Sequence, residues 1–225
     1  MIRDAALLAH SLLHAGASVD CGNSHQYWDQ APEDELTKIV KRLSNPEDKE
    51  RALIRNIILE TGSLTVLDVA CGPTTEKTGY DRYDLPVSYT GIDASESMLR
   101  VARQRHPESR LVRAKAQEIP FADNAFDAVL LKHILEHLPR YEEAIEESVR
   151  VAKNMVIINF FHRLMPIAQD LHLCDRRGFH NNWYSKSRFC SYLESLPITR
   201  YDTHQTKGTA GQTADIYILH KIRKT

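Results

Sequence analysis

The sequence predicts an α/β fold: a doubly wound, seven-stranded, mostly parallel sheet with an antiparallel C-terminal hairpin and an N-terminal helical cap. Three observations predict it. From residue 64 onward, short β-rich apolar segments alternate with segments of helical periodicity, the order that right-handed βαβ crossovers produce. The first strand, Leu64 to Ala70, is mostly apolar, as a strand buried on both faces must be. The last two strands are joined by a loop holding Gly208 and Gly211 with no helical segment between them, so they pair as an antiparallel hairpin at the sheet edge.

Each element follows in order. Leu8, Leu12 and Ala15 share one helical face, giving an amphipathic helix before the loop at Gly22-Asn23-Ser24. A second helical segment lies near 33–44. Asn45-Pro46-Glu47-Asp48 then reads as a helix start, with a capping Asn, Pro at the first helical position and acids facing the dipole; that helix ends at Thr61-Gly62-Ser63. These parts form the cap, residues 1–62, and residues 63–225 form the sheet domain. Ser88 to Asp93 is the second strand, and Ser95 caps a helix reaching Arg105. Arg110 to Arg113, Phe126 to Leu131 and Asn154 to Phe160 are strands three to five, with a helix from Tyr141 to Val151. A helix from Ser185 to Leu193 precedes the final strands, Ile198 to Thr203 and Asp215 to His220.

Composition narrows the function. With 42% apolar and 26% charged residues over 225 positions, the chain has the balance of a soluble globular protein. A net charge of −1 lacks the basic excess by which nucleic-acid binders neutralise phosphates, so a nucleic-acid partner is not expected. The four cysteines have no CxxC spacing, no secretory signal is evident and no apolar run spans a membrane. The expectation is a cytoplasmic protein with free thiols and no membrane partner.

Ligands of open α/β sheets bind beyond the carboxyl ends of the strands. Three strand ends here carry the residues for it. Leu67-Asp68-Val69-Ala70-Cys71-Gly72-Pro73 ends the first strand in a glycine turn, where backbone can approach a ligand. Asp93 closes the second strand about 20 residues later, the spacing of an acid that accepts hydrogen bonds from two ribose hydroxyls. Ile119-Pro120-Phe121 leads through Asp123-Asn124 into the fourth strand at Phe126-Asp127. Singly, an Asp or a Gly after a strand is usually a turn former; their order and spacing together carry the argument.

In this combination the chain resembles the class I S-adenosylmethionine (SAM)-dependent methyltransferases, closest to the group related to the ubiquinone and menaquinone enzymes. The resemblance rests on Val66 to Pro73, Thr90 to Ser95, Ala116 to Asp127 and Leu135-Glu136-His137-Leu138, and spans roughly residues 64–160. It implies a Rossmann-like fold, SAM as cofactor and S-adenosylhomocysteine (SAH) as product. By position, Asp68, Ala70, Cys71 and Gly72 would hold the methionine end, and Asp93 the ribose. Ala94 and Met98 would flank the adenine, Ala116 and Gln117 would meet its edge, and the backbone of Lys132 would meet the ammonium. Two departures stand out. Ala70 and Thr74 replace family glycines, and Lys115 stands where an acid usually accepts from the adenine amine.

The expected activity is methyl transfer to a small molecule, with O-methylation preferred. His133 and His137 are candidate bases for a hydroxyl proton. Because His133, Glu136 and His137 are spaced i, i+3, i+4 they would share a face on a helical turn, and with the distant His180 they form a candidate divalent-metal set. That layout resembles metal-dependent O-methyltransferases and small-RNA 2′-O-methyltransferases, which makes an RNA 2′-O-methyltransferase the first alternative; a metal is nonetheless not expected, since L-E-H-L occurs in this superfamily without one. A second alternative is a non-catalytic or repurposed SAM-fold protein, for which the altered turn and Lys115 argue. The acceptor pocket is expected at Tyr27 and Trp28 and in the aromatic, His-rich stretch 161–184, above all His180, Trp183 and Tyr184. The bland reading of that stretch is ordinary packing.

Overall fold

The computed structural model describes residues 24–43, 45, 47–162, 164–207 and 213–221. The expected first helix, the Gly208–Gly211 loop and the basic end after Lys221 lie outside the described residues.

Alternation along the strands builds the fold. In β1 (Thr65–Val69), β4 (Phe126–Lys132) and β5 (Ala152–Asn159), successive apolar side chains point to opposite faces, so both faces need a cover. Leu67, Val69, Val129, Leu131, Val156 and Ile158 pack on one side with Ile145 and Val149 of α6 (Glu142–Val151) and Phe189 and Leu193 of α7 (Lys186–Ser195). Val66, Ala128, Leu130, Met155 and Ile157 pack on the other, against Ile54 and Ile58 of α3 (Lys49–Glu60), Tyr80 of α4 (Thr75–Arg82) and Leu99 of α5 (Glu96–Arg105). With β2 (Ser88–Asp93), β3 (Arg110–Arg113), β6 (Ile198–Lys207) and β7 (Thr213–Lys221), the seven strands take the order β3-β2-β1-β4-β5-β7-β6. All pairs from β3 through β5 are parallel, while β7 is antiparallel to both β5 and β6. The order reverses between β1 and β4, which opens a crevice at their carboxyl ends.

Two helices precede this unit, α1 (His25–Gln30) and α2 (Glu33–Leu43). Asp29 docks α1 on the N-terminus of α5: its Oδ1 accepts from Ser95 Oγ at 2.7 Å and from Ser97 N at 3.1 Å. Because α3 belongs to the second core, cap and sheet share apolar packing.

Three boundaries differ from the sequence reading. The helix expected to start at Asn45-Pro46 starts at Lys49, with Asp48 at the cap position. Asn45 instead accepts from Glu47 N at 3.0 Å and donates to Asp48 Oδ1 at 3.0 Å, a local turn that competes with helix. The hairpin strands run longer than expected, out to Lys207 paired with Thr213, because backbone pairing with β7 continues past the last apolar residues of β6. The third is the L-E-H-L stretch, where a single 3-10 turn (Leu135–His137) replaces the expected helical turn.

Candidate functional site

The turn after β1 is made by three left-handed residues in five: Ala70 (φ 59°), Gly72 (φ 49°) and Thr74 (φ 56°). Two of them carry a Cβ that disfavours this conformation by about 1–2 kcal/mol each. The turn is held from outside, by Cys71 N donating to Ile92 O at 2.9 Å and Gly72 N donating to Asp93 Oδ2 at 2.9 Å. Close approach is built into β2 as well, since a Cβ at Gly91 would stand 2.8 Å from Cys71 Sγ. Thr74 offers no side-chain cap to α4, and the first residues of that helix, Thr75 and Glu76, line the crevice.

Asp93 accepts a second backbone bond, from Ser95 N to Oδ1 at 2.9 Å. Each carboxylate oxygen keeps a lone pair for another donor. Burial pushes Asp93 up to about 6, against the lowering effect of the Ser95 and Gly72 bonds. Asp68, buried on β1, accepts from Tyr89 Oη at 2.7 Å; burial and then the neighbouring Glu76 carboxylate push it up to about 7.

These strand ends line one cavity of about 360 Å³. All ten residues named above for the cofactor stand in its wall: Asp68 and the Ala70–Gly72 turn, Asp93, Ala94 and Met98, Ala116 and Gln117, and Lys132. Lys115 joins them from the exposed rim. Of the acceptor residues, Trp28 lines the cavity. Tyr27 supports it from behind, packed on Trp28 and Phe179 at ring separations of 4.8 and 5.1 Å, with its hydroxyl donating to Glu35 Oε1 at 2.5 Å. Phe161 and Phe179 complete the aromatic wall, with Phe179 4.4 Å from the ring of His137.

Trp183, Tyr184 and His180 lie outside the wall. Trp183 is stacked on His162 at 3.8 Å, and Tyr184 is in the core with its hydroxyl donating to Leu135 O at 2.8 Å. His180 is buried, its backbone N donating to Ser24 Oγ at 3.0 Å. Trp183 thus stacks within the insertion, Tyr184 joins the sheet core and His180 bonds the cap at Ser24.

His133, Glu136 and His137 do not share a face. His133 has left-handed backbone (φ 54°) and precedes the 3-10 turn, so helical spacing does not apply to it. Its ring turns to Glu50 (Nε2 to Oε2, 3.1 Å), while Glu136 Oε1 accepts from Phe161 N at 2.5 Å and His137 Nδ1 donates to His180 O at 2.8 Å. The four candidate ligands therefore do not converge. Among the described residues, three or more residues bring donor atoms of metal-ligand type within 4.8 Å of one another only at Asp81, His106 and Glu108. There Lys77 already pairs with Asp81 and, at 3.5 Å, with Glu108.

The sequence reading passed over Glu50 and Arg51. Both are buried on α3, on the same face as Ile54 and Ile58. Arg51 lines the cavity and pairs with Glu76; Glu50 bonds Lys132 Nζ at 3.1 Å. The signal was present as two charges on an apolar helix face, a placement that requires buried partners.

Residues 67–158 match the family described as a methyltransferase domain. A demethylmenaquinone methyltransferase of Paenarthrobacter aurescens is 30% identical over 147 residues, 64% of this chain and 57% of that protein. The chain thus spans little more than half the length of this curated relative. In fold, the chain is similar to the 1,6-didemethyltoxoflavin-N1-methyltransferase of Burkholderia thailandensis, solved with its substrate and SAH (TM-score 0.62, 14% identity, 91% and 93% of the two chains). It is equally similar to the [4+2]-cyclase SpnF (TM-score 0.64, 16% identity, 92% and 98%). The fold is thus the Rossmann-like one that these solved structures share, and residues 67–158 match a methyltransferase-domain family.

Proposed function

We propose that this chain binds SAM in the cavity at the β1/β4 switch point and transfers its methyl group to a small molecule, at an oxygen atom. The observation that carries this is the gathering of the turn after β1, the end of β2 with Ala94 and Met98, the Ala114–Gln117 stretch after β3 and Lys132 at the end of β4, separate in sequence, around one cavity; the 119–127 segment does not reach it. The donor set fits the cofactor part by part. SAM combines cationic sulfonium and ammonium groups, a carboxylate, a ribose diol and an apolar purine. The acids Asp68 and Glu76 suit the cations, and Glu76 Oε2 is a buried oxygen without a hydrogen-bond partner among the described residues. Arg51 suits the carboxylate, Asp93 the diol, and Ala94, Met98 and Ala116 the ring.

When bound, SAM supplies an electrophilic methyl carbon for in-line displacement, so positioning the acceptor provides much of the acceleration. Trp28, Phe161 and Phe179 form an aromatic wall suited to a planar, partly apolar acceptor. Two neutral imidazoles face the same space. Burial lowers His137 to about 4, and burial with the adjacent Lys132 ammonium lowers His133 to about 3. A hydroxyl proton at neutral pH would therefore meet an unprotonated acceptor nitrogen.

The likeness to a cyclase favours one competing reading, the same fold turned to another reaction. Calorimetric titration with SAM and SAH, with Asp93→Ala as control, separates the cases, followed by measurement of SAH release with quinol and phenol acceptors, with and without EDTA. Micromolar binding lost in the variant, with SAH released, supports the proposal. Binding without methyl transfer to any acceptor supports the repurposed fold; no binding overturns the methyl-transfer proposal and leaves the repurposed fold.

A further inference from the structure

His133 occupies a conformation that non-glycine residues avoid, and it does so in the cavity wall. Such strain persists only where the surroundings impose it. Here His133 N donates to Asn159 O at 2.8 Å, and the ring lies edge-on to Phe161 at 5.3 Å. The ring edge meets two more groups. Glu50 Oε2 is 3.1 Å from Nε2, and Lys132 Nζ is 3.1 Å from Nδ1 and 3.0 Å from Nε2. Glu50 is fully buried, and its Oε1 has no hydrogen-bond partner among the described residues. A carboxylate is costly in such a place unless it is paired, and it reaches this site from the helical cap, outside the matched domain.

We propose that Glu50 is a positioning residue that fixes His133 as a neutral imidazole protonated on Nε2, so that Nδ1 presents its lone pair to the acceptor hydroxyl. The inference rests on the methyltransferase reading above. A neutral ring can donate to Glu50 only through Nε2–H, which leaves Nδ1 as the accepting nitrogen. Lys132 caps that lone pair before the acceptor arrives, and its long stem lets it swing aside while still paired with Glu50. In the transfer, the acceptor O–H bond breaks and its proton passes to Nδ1. The oxygen pair forms the new O–C bond while the C–S bond breaks, its electrons leaving on sulfur as SAH. The resulting imidazolium faces the Glu50 carboxylate, which stabilises it, as well as the opposing cations Lys132 and Arg51, which favour its return to the neutral form.

The test is nitrogen NMR of the full-length protein carrying 15N-labelled histidine rings, with His133 assigned by comparison with His133→Gln. The expected wild-type signal is a neutral ring protonated on Nε2 at pH 7, changing to an Nδ1–H or averaged pattern in Glu50→Gln. A wild-type ring protonated on Nδ1 or on both nitrogens overturns the proposal, as does a pattern unchanged in a folded Glu50→Gln. If the glutamine variant does not fold, the wild-type spectrum decides alone. With any acceptor that supports SAH release, Glu50→Gln should lower kcat about tenfold or more and move its acidic limb, leaving KM near wild type. Failure of wild-type protein to bind SAH would sink the methyltransferase reading while leaving the tautomer result intact, so the two failures are distinguishable.

Discussion

Asp93 shows how one side chain can serve both fold and ligand. Its two oxygens tie the glycine turn to the start of α5, and the residue stands in the cavity wall. Because burial holds Asp93 up to about 6, acidification protonates it within an accessible range. SAH affinity should therefore weaken about tenfold for each pH unit below about 6, and calorimetry at pH 5, 6 and 7.5 checks this. Asp93→Asn should weaken binding at all three and flatten the dependence. Ala70 makes the opposite point, since it occupies a left-handed position without being glycine. Ala70→Gly removes about 1–2 kcal/mol of strain but adds about 0.5–1 kcal/mol of unfolded-state entropy. Urea denaturation should place the variant level with wild type or up to about 1.5 kcal/mol above it; a clear loss would mean the methyl group makes contacts that outweigh its strain.

At the scale of elements, the cavity depends on how the 161–184 insertion is fastened to the 3-10 turn. Tyr184 donates to Leu135 O at 2.8 Å and accepts from Asn182 Nδ2 at 3.1 Å, while Asn182 Nδ2 also donates to Leu138 O at 2.7 Å. Tyr184→Phe leaves the Leu135 carbonyl with only the 3.3 Å bond from Leu138 N and deprives Asn182 Nδ2 of an acceptor in a buried site, and should cost about 1–3 kcal/mol of stability. SAH affinity in the folded variant should stay near wild type, because the cofactor residues come from the strand ends. A large loss of affinity with little loss of stability would place Tyr184 in the binding site after all.

The whole molecule concentrates buried ionisable groups of opposite tendency around one cavity. Burial raises Asp68 and Glu136 to about 7 and Asp93 to about 6. Their contribution to stability is present below the unfolded carboxylate values of 3.8 and 4.5 and is lost as pH rises through 6–7. The histidines act in reverse. His133 and His137, lowered to about 3 and about 4, contribute stability above the unfolded value of 6.5 that is lost as pH falls toward those values. Glu50 is lowered to about 2 because the bonds from His133 and Lys132 outweigh its burial; its contribution is present above 4.5 and lost below it. The two trends nearly cancel in between. Thermal midpoints of the cofactor-free protein should be nearly level from about pH 5 to 7 and fall below about pH 4.5. In His137→Gln one of the opposing terms is gone, so the level stretch should become a decline with rising pH; an unaltered profile would contradict this balance.

What the sequence determined by itself was local or periodic. Alternation placed the strands, Ser95 and Ser185 marked helix starts where their side chains do cap, and the glycine turn and Asp93 marked the strand ends that converge. A motif at a strand end is readable because the fold brings all such ends to one edge of the sheet. The tertiary structure alone decided the rest. Nothing in the chain pairs Glu50 with Lys132, 82 residues away, and helical spacing grouped His133, Glu136 and His137 where a left-handed residue and a 3-10 turn separate them. Trp183 and Tyr184 looked like pocket residues because aromatic side chains serve pockets and cores alike; only packing assigns them to one or the other. The direction of a side chain and the partner of a buried charge depend on contacts between distant segments, and no local pattern encodes those.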